Sequence, residues 1–232
     1  MRRLDFGSNP LSNRFPLDAE ASETFYPTAL IQDMRTGLVR IEEPVPAREM
    51  CPRVSWLSET EPTSHLDEIA DGLAKRWDSG ARILAISYRD RPLVKLMRAR
   101  GFNNIYSLNQ DELGILNPLA RIESVQEALS DPATISRVSA LHGRFELVLC
   151  VRILHHVHNL EAFLSGVGKL VSSDGEVFFE VPTCVDHFVS CDYTVLFEEH
   201  TMYFTQETIK AALVDAGWRV ATQTTHPMAI ED

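Results

Sequence analysis

The chain has 232 residues, 44% of them hydrophobic and 24% charged, with a formal net charge of -11. That composition is globular, with enough apolar surface for one good core and a smaller appendage. The acidity leaves no basic surface to neutralise phosphates, so no nucleic-acid partner is expected, and no apolar run approaches the roughly 20 residues of a membrane span.

The start, Met1-Arg2-Arg3-Leu4-Asp5, lacks the apolar segment of a secretory signal. Residues 1–62 read as a small irregular arm or subdomain. Proline recurs there at Pro10, Pro16, Pro27, Pro44, Pro46, Pro52 and Pro62, and the only strand-like stretch runs from Gly37 to Ile41. From Thr63 the pattern changes. Ser64-x-x-Asp67 resembles a capping box, and Leu66, Ile69, Ala70, Leu73 and Trp77 share one helical face, ended by Asp78-Ser79-Gly80. Arg82 to Ser87 is a short apolar strand. Leu93 to Ala99 is helical, and Asn104 to Leu108 is a second strand. Arg121-Ile122 opens a third, and Ser124 to Leu141 reads as helix. Phe145 to Val151 is a buried strand, Leu160 to Val171 an amphipathic helix, and Glu176 to Val181 a strand stopped by Pro182. Thr205 caps a helix running to Ala216, with Gly217 at its end, and Trp218 to Thr222 is a last strand.

Strands alternating with helices predict an α/β fold with a doubly wound, mostly parallel, Rossmann-type sheet. Ligands in such sheets bind beyond the carboxyl ends of the strands. The candidate positions are therefore Ser87 to Pro92, Leu108 to Asp111, Arg152 to His158, and Pro182 to Cys184.

Several stretches resemble the sugar C-methyltransferase family. Asp5 to Phe15 is similar to the family's start after its first cysteine pair, and Arg152 to Val157 to a strand-end motif that usually reads Leu-Glu-His. Glu180-Val181-Pro182 matches its Glu-Val-Pro. Glu198 to Thr205 is similar to its Tyr-His-Glu-His-x-x-Tyr-Phe-Ser segment, and this is the most specific of the matches. The resemblance implies a class I methyltransferase-like domain over residues 63–232, S-adenosylmethionine as cofactor, and a small-molecule substrate such as a nucleotide sugar.

The departures are as informative. The family's N-terminal zinc cysteines are missing: Asp33 and Thr36 stand where the second pair would fall, so a degenerate, zinc-less arm is expected at residues 1–62. Cys51, Cys150, Cys184 and Cys191 form no C-x-x-C pair, which also speaks against zinc and fits a reducing, cytoplasmic setting. The chain stops soon after Trp218, without the family's final strand and further domain. In the family the first strand ends in an acidic residue and a glycine-rich loop, because glycine lets the backbone pass close to the cofactor. Here the acid is Ala85 and the glycine positions are Ser87, Arg89 and Arg91, with Tyr88 and Asp90 between them. Asn109 replaces the carboxylate that would hold both ribose hydroxyls, and an amide has one acceptor oxygen. Cofactor-binding candidates are thus Ser87, Tyr88, Asp90 and Asn109. Arg89 and Arg91 stand where a cationic sulfonium would lie. They either bind an anion such as a phosphate or are solvated.

Methyl transfer to carbon needs a base beside a carbonyl. His200 matches the motif histidine to which the family's base role is ascribed, and Glu199 could orient it or replace it. The bland alternative is that His200 packs against the helix after Thr205. His156 matches the strand-end histidine and could hydrogen-bond substrate. With His155 and His158 it forms a cluster along the chain, but adjacent residues seldom converge on one ion, so no metal is expected and a solvated cluster is the commoner explanation. Phe197 replaces the family's tyrosine and cannot move a proton. Tyr203 is a packing or substrate-lining residue. Trp56, near Ser58, could stack on a sugar or base, or pin the arm to the core.

Three readings follow. The chain is an active S-adenosylmethionine-dependent enzyme, or a pseudoenzyme that binds a partner such as an active methyltransferase, or an enzyme with changed chemistry on an anionic ligand. An unpaired sheet edge also points to a homodimer.

Overall fold

The computed structural model describes residues 2–12, 14, 18, 22–53 and 62–227. The N-terminal region is richer in strand than its prolines suggest. It supplies β1 (Arg2–Pro10), β2 (Phe25–Gln32) and β3 (Val39–Ile41), followed by the one-turn helix α1 (Ala47–Met50). Pro10 and Pro27 lie within β1 and β2, and they face each other's strands near the outer end of the hairpin, where ladder bonds are fewest.

The second half alternates as expected. Helix α2 (Leu66–Arg76) leads to β4 (Ile83–Ala85), α3 (Arg91–Ala99) and β5 (Ile105–Ser107). Then come α4 (Ile122–Ser130), α5 (Pro132–His142), β6 (Phe145–Val151), α6 (Leu160–Leu170) and β7 (Val171–Glu180). The chain continues with α7 (Val185–Ser190), β8 (Met202–Tyr203) and α8 (Gln206–Asp215). Thr205 caps α8 as predicted, accepting from the Thr208 N–H. The capping box expected at Ser64 does not form, since His65 precedes α2 without a side-chain cap.

Three expectations are corrected. Arg121-Ile122 opens no strand but starts α4. The long helix over Ser124 to Leu141 is broken at Pro132, which has no N–H to give and begins α5, with Asp131 accepting from the Ala133 and Thr134 N–H groups. Trp218 to Thr222 forms no strand; Trp218 packs its ring edge-on to Phe179 instead.

Strands β5, β4, β6 and β7 make a parallel sheet in that order. Ile83, Ala85, Leu147, Leu149 and Val151 face α2 and α3 on one side, while Leu84, Ile86, Val148 and Cys150 face α4, α5 and α6 on the other. Both faces are buried, so β4 is apolar throughout and β6 is apolar at every position but Glu146. Helix α6 lies so close to α4 that a Cβ at Gly166 would come 2.2 Å from the Leu129 carbonyl oxygen. The winding reverses between β4 and β6, which puts the ligand crevice at their carboxyl ends.

A second, antiparallel sheet has the order β1-β2-β3-β8. Its last strand comes from the C-terminal part of the chain, with Val39 opposite Tyr203 and Arg40 opposite Met202. This pairing sets the segment before β8 against the crevice. Among the described residues no helix is long and apolar enough to cross a membrane.

Candidate functional site

Two turns form the floor of the crevice. The first follows β4. Ser87 begins a single 3-10 turn, Tyr88–Asp90, and caps it. The Ser87 N–H donates to Asp90 Oδ2 at 2.7 Å, the Val151 N–H donates to Asp90 Oδ1 at 2.8 Å, and the Arg89 N–H donates to Ser87 Oγ at 3.2 Å. The Asp90 N–H closes on the Ser87 carbonyl. Asp90 is completely buried, and burial raises its carboxyl to about 7 against the pull of the backbone donors. The turn therefore closes on itself, and Asp90 ties it to the end of β6.

The two arginines part company. Arg91 opens α3 and is exposed. Arg89 is half-buried, and its charge is felt by His155 and His156. Asn109 is exposed, and its Oδ1 accepts from the Glu112 N–H at 2.9 Å while its own N–H donates to Glu112 Oε2. Glu112 also accepts from the Tyr106 hydroxyl and lies 2.7 Å from His142 Nε2. The Asn109 amide oxygen is thus turned back into its own loop.

The second turn follows β6. Arg152 takes a left-handed conformation (φ 51°), which L residues with a side chain rarely adopt and which marks a functional or strained point. Its Nε donates to Glu180 Oε1 at 2.7 Å, its Nη2 donates to the Pro62 carbonyl, and His65 Nε2 lies 3.1 Å from the same Glu180 oxygen. This locks α2, β6 and β7 together at the rim. A 3-10 turn, Leu154–His156, then presents two histidines inward.

The solvated histidine cluster is a misreading. His155 and His156 are buried, the latter 1% exposed, and their rings lie 4.1 Å apart between centroids. Adjacent residues on a 3-10 turn are drawn to one point here because a third ring arrives from far along the chain. His200 lies 4.9 Å from His155 and 5.2 Å from His156, centroid to centroid. The delivery is by backbone: the Thr201 N–H donates to the His155 carbonyl at 2.7 Å, Thr201 Oγ1 donates to the Val157 carbonyl at 2.7 Å, and the Ile41 N–H donates to the Thr201 carbonyl. Burial lowers the basicity of His155 well below the usual histidine range, with His156 and His200 adding to it. Burial followed by Arg89 does the same to His156. His158, to one side, is brought down to about 4 by burial.

Glu123 went unseen in the sequence. It lies on α4, 3% exposed, with Oε1 3.1 Å from His156 Nδ1. Reading Arg121-Ile122 as a strand hid it. The signal available was a second buried pair, Glu123 and Gln126, one position on from the apolar stripe Ile122, Val125 and Leu129. Glu199 is half-buried and brings an oxygen into the same cluster as Glu123 and His156. Tyr203 packs in the small core with Leu30, Ile41 and Cys184 at 1% exposure. Phe197 packs edge-on to His200. Trp56 and Ser58 lie outside the described residues. Two cavities are described, one beside Arg14 and Glu49 and one beside Ser136 and Arg144, and neither is lined by these turns.

A family model described as a methyltransferase domain matches residues 59–223, well over half of the chain. The C-methyltransferase NovU of Streptomyces niveus is 29% identical over 83 residues, which is 36% of this chain. The match spans 20% of that relative's length. A solved structure titled DhpI-SAM-HEP complex superposes with a TM-score of 0.39 at 15% identity, covering 71% of this chain and 84% of that one.

Proposed function

The chain belongs to the methyltransferase domain family, and on that premise we propose that it is a methyltransferase-like protein that takes a proton from carbon beside the carbonyl of a small, oxygen-rich substrate of the nucleotide-sugar kind. The observation that carries this reading is the meeting of His200 and Glu199 with His155 and His156 at the crevice. The printed name of NovU, a C-methyltransferase, gives it further support.

In this reading His200 is the base, Glu199 orients it, and His156 hydrogen-bonds the substrate. The low basicity of His155 and His156 keeps both rings neutral near pH 7, so neither repels a proton arriving at His200. The charge of Arg89 reaches those rings from the turn after β4, and it would stabilise the enolate oxygen left by deprotonation.

S-adenosylmethionine is the methyl donor that the family implies. The residues of this chain do not fit it as they stand. The N–H groups of Ser87, Arg89 and Asp90 are taken up within the turn, Asn109 Oδ1 is taken up by Glu112, and Arg89 brings positive charge where a sulfonium would lie. The same closed turn favours a second reading, in which the chain binds a partner and turns over no cofactor of its own.

The test is solvent deuterium uptake into a nucleotide-linked ketosugar. The wild type is expected to exchange the proton beside the carbonyl, and His200→Asn to slow that exchange by about 10²-fold or more. Equal rates would remove His200 from the role, and no exchange in the wild type would leave the partner reading. Calorimetry with S-adenosylmethionine is expected to show no binding heat; micromolar binding would overturn the account of the turn.

A further inference from the structure

The cluster before β8 has a property that proton transfer does not need. Buried polar atoms in proteins are almost always hydrogen-bonded, and a buried nitrogen left bare is costly. Here His155 Nδ1 and His156 Nε2 are both buried with no hydrogen-bond partner. The backbone of Glu199 comes close enough to His156 to raise its basicity against the effect of burial. A cation is what satisfies the lone pairs of several gathered imidazoles at once.

The geometry points to a divalent metal site held by the imidazoles of His155, His156 and His200, with zinc as the ion its ligands suit best. One ring nitrogen from each of the three lies within 4.8 Å of the others. In a tetrahedral zinc site with bonds of 2.0–2.1 Å, such nitrogens stand about 3.3 Å apart, so side-chain rotations of roughly an ångström close the site. Three imidazoles and one open position are a catalytic rather than a structural ligand set. Soft thiolates are absent from the cluster and nitrogen dominates it, which favours zinc over magnesium or calcium.

The surroundings are those of a metal-binding histidine. Glu123 Oε1 stands 3.1 Å from His156 Nδ1, which leaves Nε2 to face the ion. A carboxylate behind a ligating imidazole fixes its orientation and raises its basicity. Glu123 and Glu199 each bring an oxygen within 4.8 Å of His156 and of one another. The nearby guanidinium of Arg89 opposes a cation, and these two carboxylates favour one.

This inference goes beyond the proton-transfer reading and does not depend on it. A metal and a proton compete for the same lone pair of His200, so a loaded site would hold the base closed.

The untagged full-length chain, stripped with a chelator and dialysed, is titrated with zinc chloride by calorimetry and with cobalt(II) by visible absorption. The expected result is one ion per chain, with the intense ligand-field bands of tetrahedral cobalt. His200→Ala is expected to weaken binding at least tenfold, and Glu123→Gln by about 10–100-fold. His158→Ala and His226→Ala are expected to bind as the wild type does. Should His200→Ala fail to melt cooperatively, His200→Gln takes its place. Absence of stoichiometric binding, weak octahedral cobalt bands, or an affinity that the His200 variants leave unchanged would each overturn the site. Deuterium exchange measured on the metal-free chain reads the proton-transfer proposal separately, so either can fail while the other stands.

Discussion

The turn after β4 and the turn after β6 lie side by side at the carboxyl edge of one sheet, yet their polar groups are handled in opposite ways. In the first, Ser87 and Asp90 accept the N–H groups of their own turn and of Val151. In the second, His155 and His156 carry buried ring nitrogens that no protein atom satisfies. A self-satisfied turn holds the fold; an unsatisfied one awaits something from outside.

Charge separates the two turns most sharply, and the largest expected effect tests it. Asp90 has a carboxyl raised by burial from 3.8 to about 7. Its contribution to stability is full below about pH 4 and is lost as the pH rises through about 7, since the unfolded chain ionises more readily. At about 1.4 kcal/mol per unit of displacement the loss approaches about 4 kcal/mol. Urea unfolding of the wild type against Asp90→Asn, from about pH 4 to about pH 8, should show the wild type losing ground by that order. Parallel pH profiles would break the comparison at its first turn.

A smaller effect tests the packing behind the second turn. Gly166→Ala puts a methyl against the Leu129 carbonyl and Ile135, and should destabilise by about 1–3 kcal/mol by pushing α6 from α4. Because α4 carries Glu123, the same variant should loosen zinc binding if the site is as inferred. Thermal melting and calorimetry read the two consequences.

Opening the first turn is expected to act more weakly. Replacing Ser87 and Arg89 together by glycine frees the N–H groups and removes the cation, and should raise affinity for S-adenosylhomocysteine at least tenfold, about 1.4 kcal/mol. An unchanged calorimetric titration would show that the side chains of this turn are not what keeps the cofactor out. Last, Arg91→Ala should change stability by less than about 0.5 kcal/mol and leave binding alone, because Arg91 is exposed. A marked effect would restore the arginine pair as one site.

Legibility in the sequence followed the range of the interactions. Phe145 to Val151 was plain because a strand buried on both faces is apolar, here at every position but Glu146. The cap at Thr205 was plain because capping joins residues three apart. The motif around His200 and Glu199 could be recognised, and the pair does lie at the crevice. Glu123 could not be found, since its neighbour His156 is 33 positions away and it falls between the expected strand at Arg121-Ile122 and the expected helix from Ser124. The first β-hairpin was missed because its residues alternate poorly and its prolines argue against strands.

By itself the sequence determined the winding of the parallel sheet, which periodicity and capping encode locally, and the loss of glycine and acid from the turn after β4, which a residue-by-residue match reveals. Tertiary structure alone decided what those changes mean. Whether Ser87 and Asp90 point into a crevice or into their own turn depends on where the end of β6 places the Val151 N–H. Whether His155 and His156 are solvated or buried beside His200 depends on Thr201 binding the carbonyls of His155 and Val157 across the fold. Neither can be read along the chain, because both are set by hydrogen bonds between segments that meet only once the two sheets have formed.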